Sequence, residues 1–534
     1  MYNTFLSFLI YYRTSKLLKK LFYKNKVKKF DKKEILIEIN SIPSNIIVTP
    51  YLTHNLSKKY EARLTCYKIS SKINFLSNLI FFIRVTLSIG NISLYKAFGV
   101  RNFLIFKNYN LNTKAKNLLE RTFNKFKNKI QLEKLEINKV LIGDLIYDSY
   151  LKDNKKETVD VKSKDFLIYF EKCLKIFLFW ENYFKINNVK SIVVSHTVYL
   201  NAIPLRIAIK NNISAYQINL KSIYYLNKKE MFAYKQYKFY PKIFSRLDKK
   251  FKQKAILEAK KRLKLRFKGE VGVDMVYSTK SAYKNIYSDK LIKKSKKIKI
   301  LVASHCFMDS PHSLGDNLFC DFYEWFEFLG KISLITDYDW YIKTHPDFHP
   351  LTLRVINNFI LNYRKFNLLP ADSSHNQLIS EGIDYGLTIY GTIGCEYAAK
   401  GIPVINASIN NPHIKYDFNM HPKNLIEYKN ILMNLNKIQF NFDIDKVYEY
   451  YYMHNLYYNN GLLFGDYSKL IKKIGGFKKI VQSDFYNFYL KNLKIDEHKL
   501  QLSRVKSYID SKYYMSDMFF KDLDNKVKKF IVDI

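Results

Sequence analysis

The residues with the plainest chemistry are histidines that stand directly after apolar, β-branched runs. His196 follows SIVVS, His305 follows ILVAS and His345 follows WYIKT. In an open α/β sheet, ligands bind beyond the carboxyl ends of the strands, where the helices that follow present partly positive N-termini. Seven of the 11 histidines (His305, His312, His345, His349, His375, His413 and His421) fall within 117 residues, against about two for even spreading. The sharpest local pattern is KTHPDFHP, 343–350. Pro346 disfavours a helical backbone at His345 and holds it in an extended exit from a strand, where its imidazole N–H can donate to a phosphate. Lys343 adds charge if its side chain faces the crevice. A plain turn in which His345 caps a backbone carbonyl is the other reading of the same residues. His305, Asp309 and His312 form a further set on a loop bordering the crevice.

The second segment is YGLTIYGTIGCEYAAKGIPVINAS, 385–408. It reads as strand, glycine turn, helix, turn and strand. Gly391 and Gly394 keep side chains away from the mouth of the helix, so backbone N–H groups there can meet a phosphate or ribose. Thr392 supplies a hydroxyl. Glu396, in the first turn, is stabilised by the helix dipole and can accept hydrogen bonds from sugar hydroxyls. The competing reading is a turn of close helix-to-strand packing. The segment is neither a G-x-G-x-x-G fingerprint nor a P-loop, which leaves nicotinamide and ATP chemistry without support. No H-E-x-x-H or other ligand spacing occurs, so no metal is expected.

Such residues need a scaffold, and the chain alternates short β-branched runs with longer amphipathic ones, the pattern of parallel sheets covered by helices. From 298 onward the series is regular: strand IKILVAS, helix 318–329, strand WYIKT, helix from Leu351, strand FNLL, helix near Gln377, strand YGLTIY, helix from Ile393 and strand PVINA. That is a doubly wound unit. In the first half, strands are expected at 45–49, 102–106, 139–142, 191–195 and 214–219, and helices at 112–130 and 164–187. A buried helix is expected at 75–89, too short for a span of about 20 residues and carrying Arg84. The basic run 293–297 places a boundary near 285. The expected organisation is an arm at 1–30, an acceptor domain at 31–285, a donor domain at 286–430 and a helical tail packing across both domains at 431–534.

Composition bounds the rest. A chain of 534 residues, 48% hydrophobic and 25% charged, should hold more than one packed core and is not disordered, collagen-like or polytopic. The +42 net charge points to anionic partners, although abundant Lys, Asn, Ile, Tyr and Phe with few Gly and Pro also fit an AT-rich coding sequence. Five scattered cysteines form no C-x-x-C pair, which suits a reducing cytoplasm. The arm starts apolar and continues basic with no acid in its first thirty residues. It therefore reads either as a helix lying on an anionic bilayer or as a solvated helix packed on the first domain.

Together, His345-Pro346 and the group Thr392, Gly394 and Glu396 resemble the nucleotide-binding half of GT-B glycosyltransferases of bacterial capsule and surface polysaccharide synthesis, in particular the polysialyltransferase-like and CDP-glycerol glycerophosphotransferase-like groups. LIGDLIYDSYLK, 141–152, resembles the Gly-Asp acceptor-side segment of some capsule transferases; the paired acidic motif of the polysialyltransferases has no counterpart. The resemblance implies two facing Rossmann-like domains, a nucleotide-sugar donor (CMP- or CDP-linked among the options), a glycan or lipid-linked glycan acceptor, and work at the inner membrane face without metal or nucleic acid. It implies that His345, neutral or as imidazolium, compensates the leaving phosphate. Asp144 and Asp148, on one face if their stretch is helical, are the expected acceptor-side bases, with a helix cap or solvated carboxylate as the other reading of each. Polyol-phosphate transfer, nucleotide-sugar epimerisation and non-catalytic binding of anionic membrane or nucleic acid are the alternatives.

Overall fold

Apolar runs too short for a helix, joined by segments of 3.6-residue periodicity, fold here as parallel strands with helical crossovers. The structure is a computed structural model and describes residues 2–23, 32–68, 75–104, 113–123 and 126–522. The chain forms two compact units, one of Met1–Ser149, Val161–Ala233 and Asn459–Ile534, the other of Tyr150–Asp160 and Tyr234–Tyr458. Compactness thus divides the chain near 233 and 458, whereas the sequence pattern suggested 285 and 430. The polar stretch around 285 is stitched to the second unit: Asn285 bridges Ser373, and the Tyr287 and Ile292 amides donate to Gln377 and Glu381.

Unit 1 contains, in chain order, α1 (Tyr2–Phe22), β1 (Lys33–Glu38), α2 (Pro43–Tyr60), β2 (Arg63–Tyr67), α3 (Phe75–Thr86), α4 (Asn91–Ala97), β3 (Val100–Leu104), α5 (Thr113–Phe123), α6 (Lys129–Glu133), β4 (Glu136–Ile137), β5 (Val140–Leu141), α7 (Gly143–Asn154), α8 (Lys164–Ile186), β6 (Asn188–Val194), α9 (Ile203–Lys210), β7 (Ser214–Ile218) and β8 (Ile223–Leu226). Its main sheet runs β3-β2-β1-β6-β7-β8, parallel except for β8. Strand progression reverses between β1 and β6, which makes their carboxyl ends the switch point of the sheet. Ile35, Leu36 and Ile37 are wholly buried, as a central parallel strand covered on both faces demands.

Several first-half expectations are corrected. Residues 45–49 lie inside α2, which Pro43 opens, and Asn45, Ile46, Ile47, Val48 and Thr49 are all buried. A short β-branched run buried on every side has the same pattern in helix and strand. The first two strands, β1 and β2, went unread. The strand expected at 102–106 begins at Val100, with 105–106 outside the described residues, and 139–142 contributes only the short β5 of a hairpin. The helix expected at 112–130 is two, α5 and α6; residues 112, 124 and 125 lie outside the described ones. Strands β6 and β7 and helix α8 stand within a few residues of their expected places. The segment 75–89 is helical only to Thr86 and is not buried: Leu76, Ile80, Phe82 and Leu87 are 49–64% exposed.

Unit 2 contains α10 (Tyr240–Ser245), α11 (Lys249–Phe267), β9 (Lys299–Ala303), α12 (Phe322–Ile335), β10 (Asp339–Lys343), α13 (Pro350–Asn362), β11 (Phe366–Leu368), α14 (His375–Ser380), β12 (Tyr385–Thr388), α15 (Ile393–Ala398), β13 (Val404–Asn406), α16 (Leu425–Met433) and α17 (Ile444–Tyr451). The sheet order is β11-β10-β9-β12-β13, all parallel, with its switch point between β9 and β12. This is the expected series, strand for strand. The first helix shifts along the chain: Asp321 caps α12, its carboxylate accepting from the Glu324 amide at 2.7 Å, so Leu318 lies in the loop before the helix, which runs on past Leu329 to Ile335. Phe322, Phe326 and Leu329 pack into a core with Trp325, Trp340 and Phe359.

The tail divides between the units. Residues up to Tyr458 belong to unit 2, and α18 (Tyr467–Ile474), α19 (Phe477–Val481), α20 (Asp484–Asn492) and α21 (Ile495–Ser511) belong to unit 1. Helix α1 packs against α4 and α20, with Thr14, Leu18 and Phe22 buried and the Phe22 ring edge-on to Tyr51 of α2 and to His498. Among the described residues, no single helix is long and apolar enough to cross a membrane.

Candidate functional site

The carboxyl ends of β9, β10 and β12 bring the expected histidine and turn residues of unit 2 together. Beyond β9, the His305 ring stacks on Phe322 (centroids 4.9 Å apart, 19° between planes) and its Nε2 lies 3.1 Å from the Thr388 hydroxyl at the end of β12. Burial pulls its pKa down to about 4 against the opposing charge of Asp309, so the ring is neutral near pH 7. Asp309 is exposed, its carboxylate accepting from the Ser310 amide, whereas His312 is buried.

Beyond β10, His345 leaves the strand extended and exposed. Its Nδ1 accepts the Asp347 amide hydrogen at 3.0 Å, so the ring caps a backbone amide and not a carbonyl. That bond assigns the remaining proton to Nε2, which is left as the donor. Packing around the ring lowers its pKa; Lys343 and Arg266 add to this, while Asp347 and Glu396 oppose it. The direction of this shift favours the neutral ring, with its Nε2–H as the donor, over the imidazolium. Lys343 is buried, with its ammonium donating to the Ala371 carbonyl at 2.8 Å. Burial lowers its pKa to about 8, opposed by Asp372 and Glu396. The loop then enters α13, whose 13-residue length gives a full N-terminal dipole.

The turn before α15 is packed more tightly than a ligand-binding turn needs. The amides of Gly391, Gly394, Cys395 and Glu396 all donate within it, to Thr388, Gly391 and Thr392. A Cβ on Gly394 would lie 2.6 Å from the His413 ring and 2.7 Å from Asn419, so this glycine serves close packing. Thr392 is exposed. Glu396 is buried and fully engaged: Arg266 binds it through Nε at 2.9 Å and a terminal nitrogen at 2.6 Å, and the Tyr283 hydroxyl donates at 2.5 Å. Burial works to raise its pKa, but Arg266, Tyr283 and Thr392 outweigh that and hold it below the ordinary carboxyl value. The cavity beside Thr392 and Glu396, walled by Asp274 and Tyr451, measures about 30 Å³, room for one water and not a nucleoside. His375 completes the cluster; its Nδ1 lies 2.9 Å from the Tyr397 hydroxyl, and burial depresses its pKa, with Lys343, Arg266 and His345 adding to the effect.

In unit 1 the Gly-Asp pair is structural. A Cβ on Gly143 would sit 1.8 Å from the Leu132 carbonyl oxygen, and Asp144 forms a buried ion pair with Arg206 at 2.8 Å. Asp148 is 1% exposed. Neither carboxylate reaches solvent as an acceptor-side base would need to. Glu38, at the end of β1, is also buried but lines a cavity. One of its oxygens accepts the Ser195 amide and hydroxyl (2.7 and 2.8 Å), the other the Asn201 amide group at 2.7 Å.

Sequence reasoning missed Arg266, Tyr283, His375 and Glu38 as members of these clusters. Arg266 had a readable signal. It stands three residues after Leu263 on the stripe Ala255, Ala259 and Leu263, the buried residues of the otherwise lysine-rich α11. Among the described residues, no group of three or more His, Cys, Asp or Glu side chains could hold a metal ion.

The chain is thus an α/β protein in which each of two units carries a doubly wound, Rossmann-like parallel sheet. No family model matches it, and no curated protein matches it by sequence. Solved structures similar to it include KpsC, a beta Kdo 2,4 transferase of Thermosulfurimonas dismutans (10% identity, TM-score 0.30, 49% of this chain and 79% of that one). The UDP-GlcNAc 2-epimerase of Neisseria meningitidis (10%, 0.22, 83% and 98%) and MurG of Acinetobacter baumannii (10%, 0.21, 79% and 94%) are others. At such identities and scores nothing about activity follows.

Proposed function

We propose that unit 2 grips the phosphate of a nucleotide-activated sugar over the carboxyl ends of β9 and β10, and that the chain transfers the sugar to a growing surface glycan, of capsule or lipopolysaccharide type, at the inner face of a membrane. The observation that carries this reading is His345. Its Nδ1 is occupied by the Asp347 amide, its Nε2–H is left to donate, and its ring is exposed beside a buried cation, Lys343. A departing nucleotide phosphate needs such compensation, and a donor already oriented costs no reorganisation at the moment of reaction. Lys343 supplies charge from beneath and α13 its dipole. Glu396 keeps Arg266 in place and so acts as a positioning residue. The +42 net charge favours an anionic donor and an anionic membrane alike.

The test is a thermal-shift comparison of CMP, CDP, UDP and GDP. Ligand at a hundredfold excess over Kd should stabilise the native state by about 2.7 kcal/mol, and His345→Ala should abolish most of the shift. No shift with any nucleotide would overturn the reading. Turnover of a nucleotide sugar without acceptor would favour an epimerase.

A further inference from the structure

A feature left unused is in unit 1: a cavity of about 890 Å³ at the carboxyl end of β1, at the switch point where a doubly wound sheet holds its ligand. Its polar lining includes Glu38, Asn40 and Asn201. A carboxylate offers about four acceptor positions; Ser195 fills two and Asn201 one, so the Glu38 oxygen bound to Asn201 keeps one for a hydroxyl. Arg84 and Lys68 supply cations, and Phe81 and Tyr11 supply apolar wall. Arg84 is near enough to Tyr11 to oppose the rise that burial imposes on the phenol pKa.

The rim of this cavity is apolar and exposed. Phe8 (69%), Tyr12 (57%), Leu87 (64%) and Ile89 (46%) line it while facing solvent, and α3 continues outward with Ile80, Phe82 and Ile83. Contiguous exposed apolar surface of this kind marks a contact site. Charge says with what: residues 2–23 and 75–104 contain no Asp or Glu, but do contain Arg13, Lys16, Lys19, Lys20, Arg84, Lys96 and Arg101. Such a surface complements an anionic bilayer. Helix α3 has 12 residues, about 18 Å at 1.5 Å per residue, too short for a hydrocarbon core of about 30 Å. The helix after it, bent by 48° from α3, buries Ile92, Leu94 and Tyr95 in the unit itself. The pair therefore does not span; α3 alone has its apolar side free to lie in an interface.

We infer that the unit 1 cavity receives the polar head of an anionic amphiphile carried in a bilayer, with α3 and the Phe8 and Tyr12 side chains of α1 seated in the surface of that bilayer. The hydroxylated part of the head meets Glu38, its anionic group meets Arg84 and Lys68, and its chain leaves past Leu87 and Ile89 into the lipid. On the transferase reading given above this amphiphile is the acceptor, and that clause alone rests on that reading.

Two measurements on the full chain test the inference. The first is sedimentation with vesicles of 70% phosphatidylcholine and 30% phosphatidylglycerol, for wild type and Ile80→Glu/Ile83→Glu; both side chains are exposed, so the fold is not at risk. Wild type should pellet with the vesicles and the variant bind at least about tenfold less. Indifference of wild type to the vesicles, or a variant that splits a dimer with vesicle binding unchanged, would overturn it. The second is calorimetric binding of dodecyl phosphate below its micelle concentration, with inorganic phosphate and dodecyl maltoside in parallel. Dodecyl phosphate should bind, and Arg84→Gln should weaken it roughly tenfold through loss of a charge-assisted contact. Equal binding of inorganic phosphate, equal binding of dodecyl maltoside, or no effect of Arg84→Gln would overturn it. Nucleotide binding measured on the same samples separates this failure from failure of the unit 2 reading.

Discussion

Replacing Arg266 by Met would leave the Glu396 carboxylate buried with only the Tyr283 and Thr392 hydroxyls for company. The side chains of the pair are 12% and 7% exposed, and two nitrogens of the guanidinium bind the carboxylate. Breaking a buried pair by removing one partner costs about 3–5 kcal/mol, because the survivor is stranded in a medium that solvates it poorly. Arg266→Met and Glu396→Leu should each cost about that much, and the double variant much less than their sum, with a coupling of at least about 2 kcal/mol. Acid dependence should move with it. A carboxyl held low in the folded state contributes stability above its unfolded pKa and loses it as the pH falls through the folded one. Without Arg266 the burial that raises this carboxyl is less opposed, so the acid limb of the stability profile should shift to higher pH. Urea unfolding read by tryptophan fluorescence in a Trp180→Phe background reports unit 2 alone, since Trp325 and Trp340 are then the remaining tryptophans. A cost below about 1 kcal/mol for Arg266→Met, or strict additivity of the two changes, would refute the assignment of Glu396 to an internal pair and return it to the ligand.

Lys343 gives a prediction of opposite sign. Burial lowers its pKa from 10.5 to about 8, so the folded state bears the penalty of its charge below pH 8 and sheds it as the pH rises from 8 to 10.5. Lys343→Met should therefore stabilise unit 2 at pH 7 by up to about 3 kcal/mol, an advantage that fades toward pH 10; a pH-independent difference between the two proteins would contradict this. Gly394→Ala should destabilise unit 2 by about 1–3 kcal/mol through overpacking against His413 and Asn419, visible as a lower urea midpoint; a neutral effect would show that the turn has room for a ligand. Asp144→Asn should cost about 3 kcal/mol or more by stranding Arg206 while leaving nucleotide affinity unchanged in titration calorimetry.

The second half of the fold was legible because its strands are short, mostly apolar runs, several of them next to an Asp or Pro (Asp339, Asp384, Pro403), separated by amphipathic helical stretches. The first half was not, for a physical reason. In α2 the residues at 45–49 are buried on all sides, which removes the periodicity that separates helix from strand, while β1 carries a glutamate at each end of an apolar centre only three residues long. Helix 75–89 was read as buried from apolarity alone; a sequence does not say whether an apolar face meets the core or a surface beyond the chain. At the candidate site, spacing placed His305, His345 and Glu396 at strand and helix ends. It did not give their partners, because Arg266 and Tyr283 come from segments 130 and 113 residues away from Glu396. The Gly-Asp pair at 143–144 had the right residue types, but Arg206, 62 residues on, neutralises the acid.

The central claim is that unit 2 holds a nucleotide phosphate through the Nε2–H of His345. Isothermal titration of the full chain with CMP, CDP, UDP and GDP tests it most directly. One of the four should bind at one site per chain, and His345→Ala should weaken it roughly ten- to a hundredfold, the loss of one hydrogen bond to a charged acceptor. Binding by none of the four, or an affinity that His345→Ala leaves untouched, would contradict it.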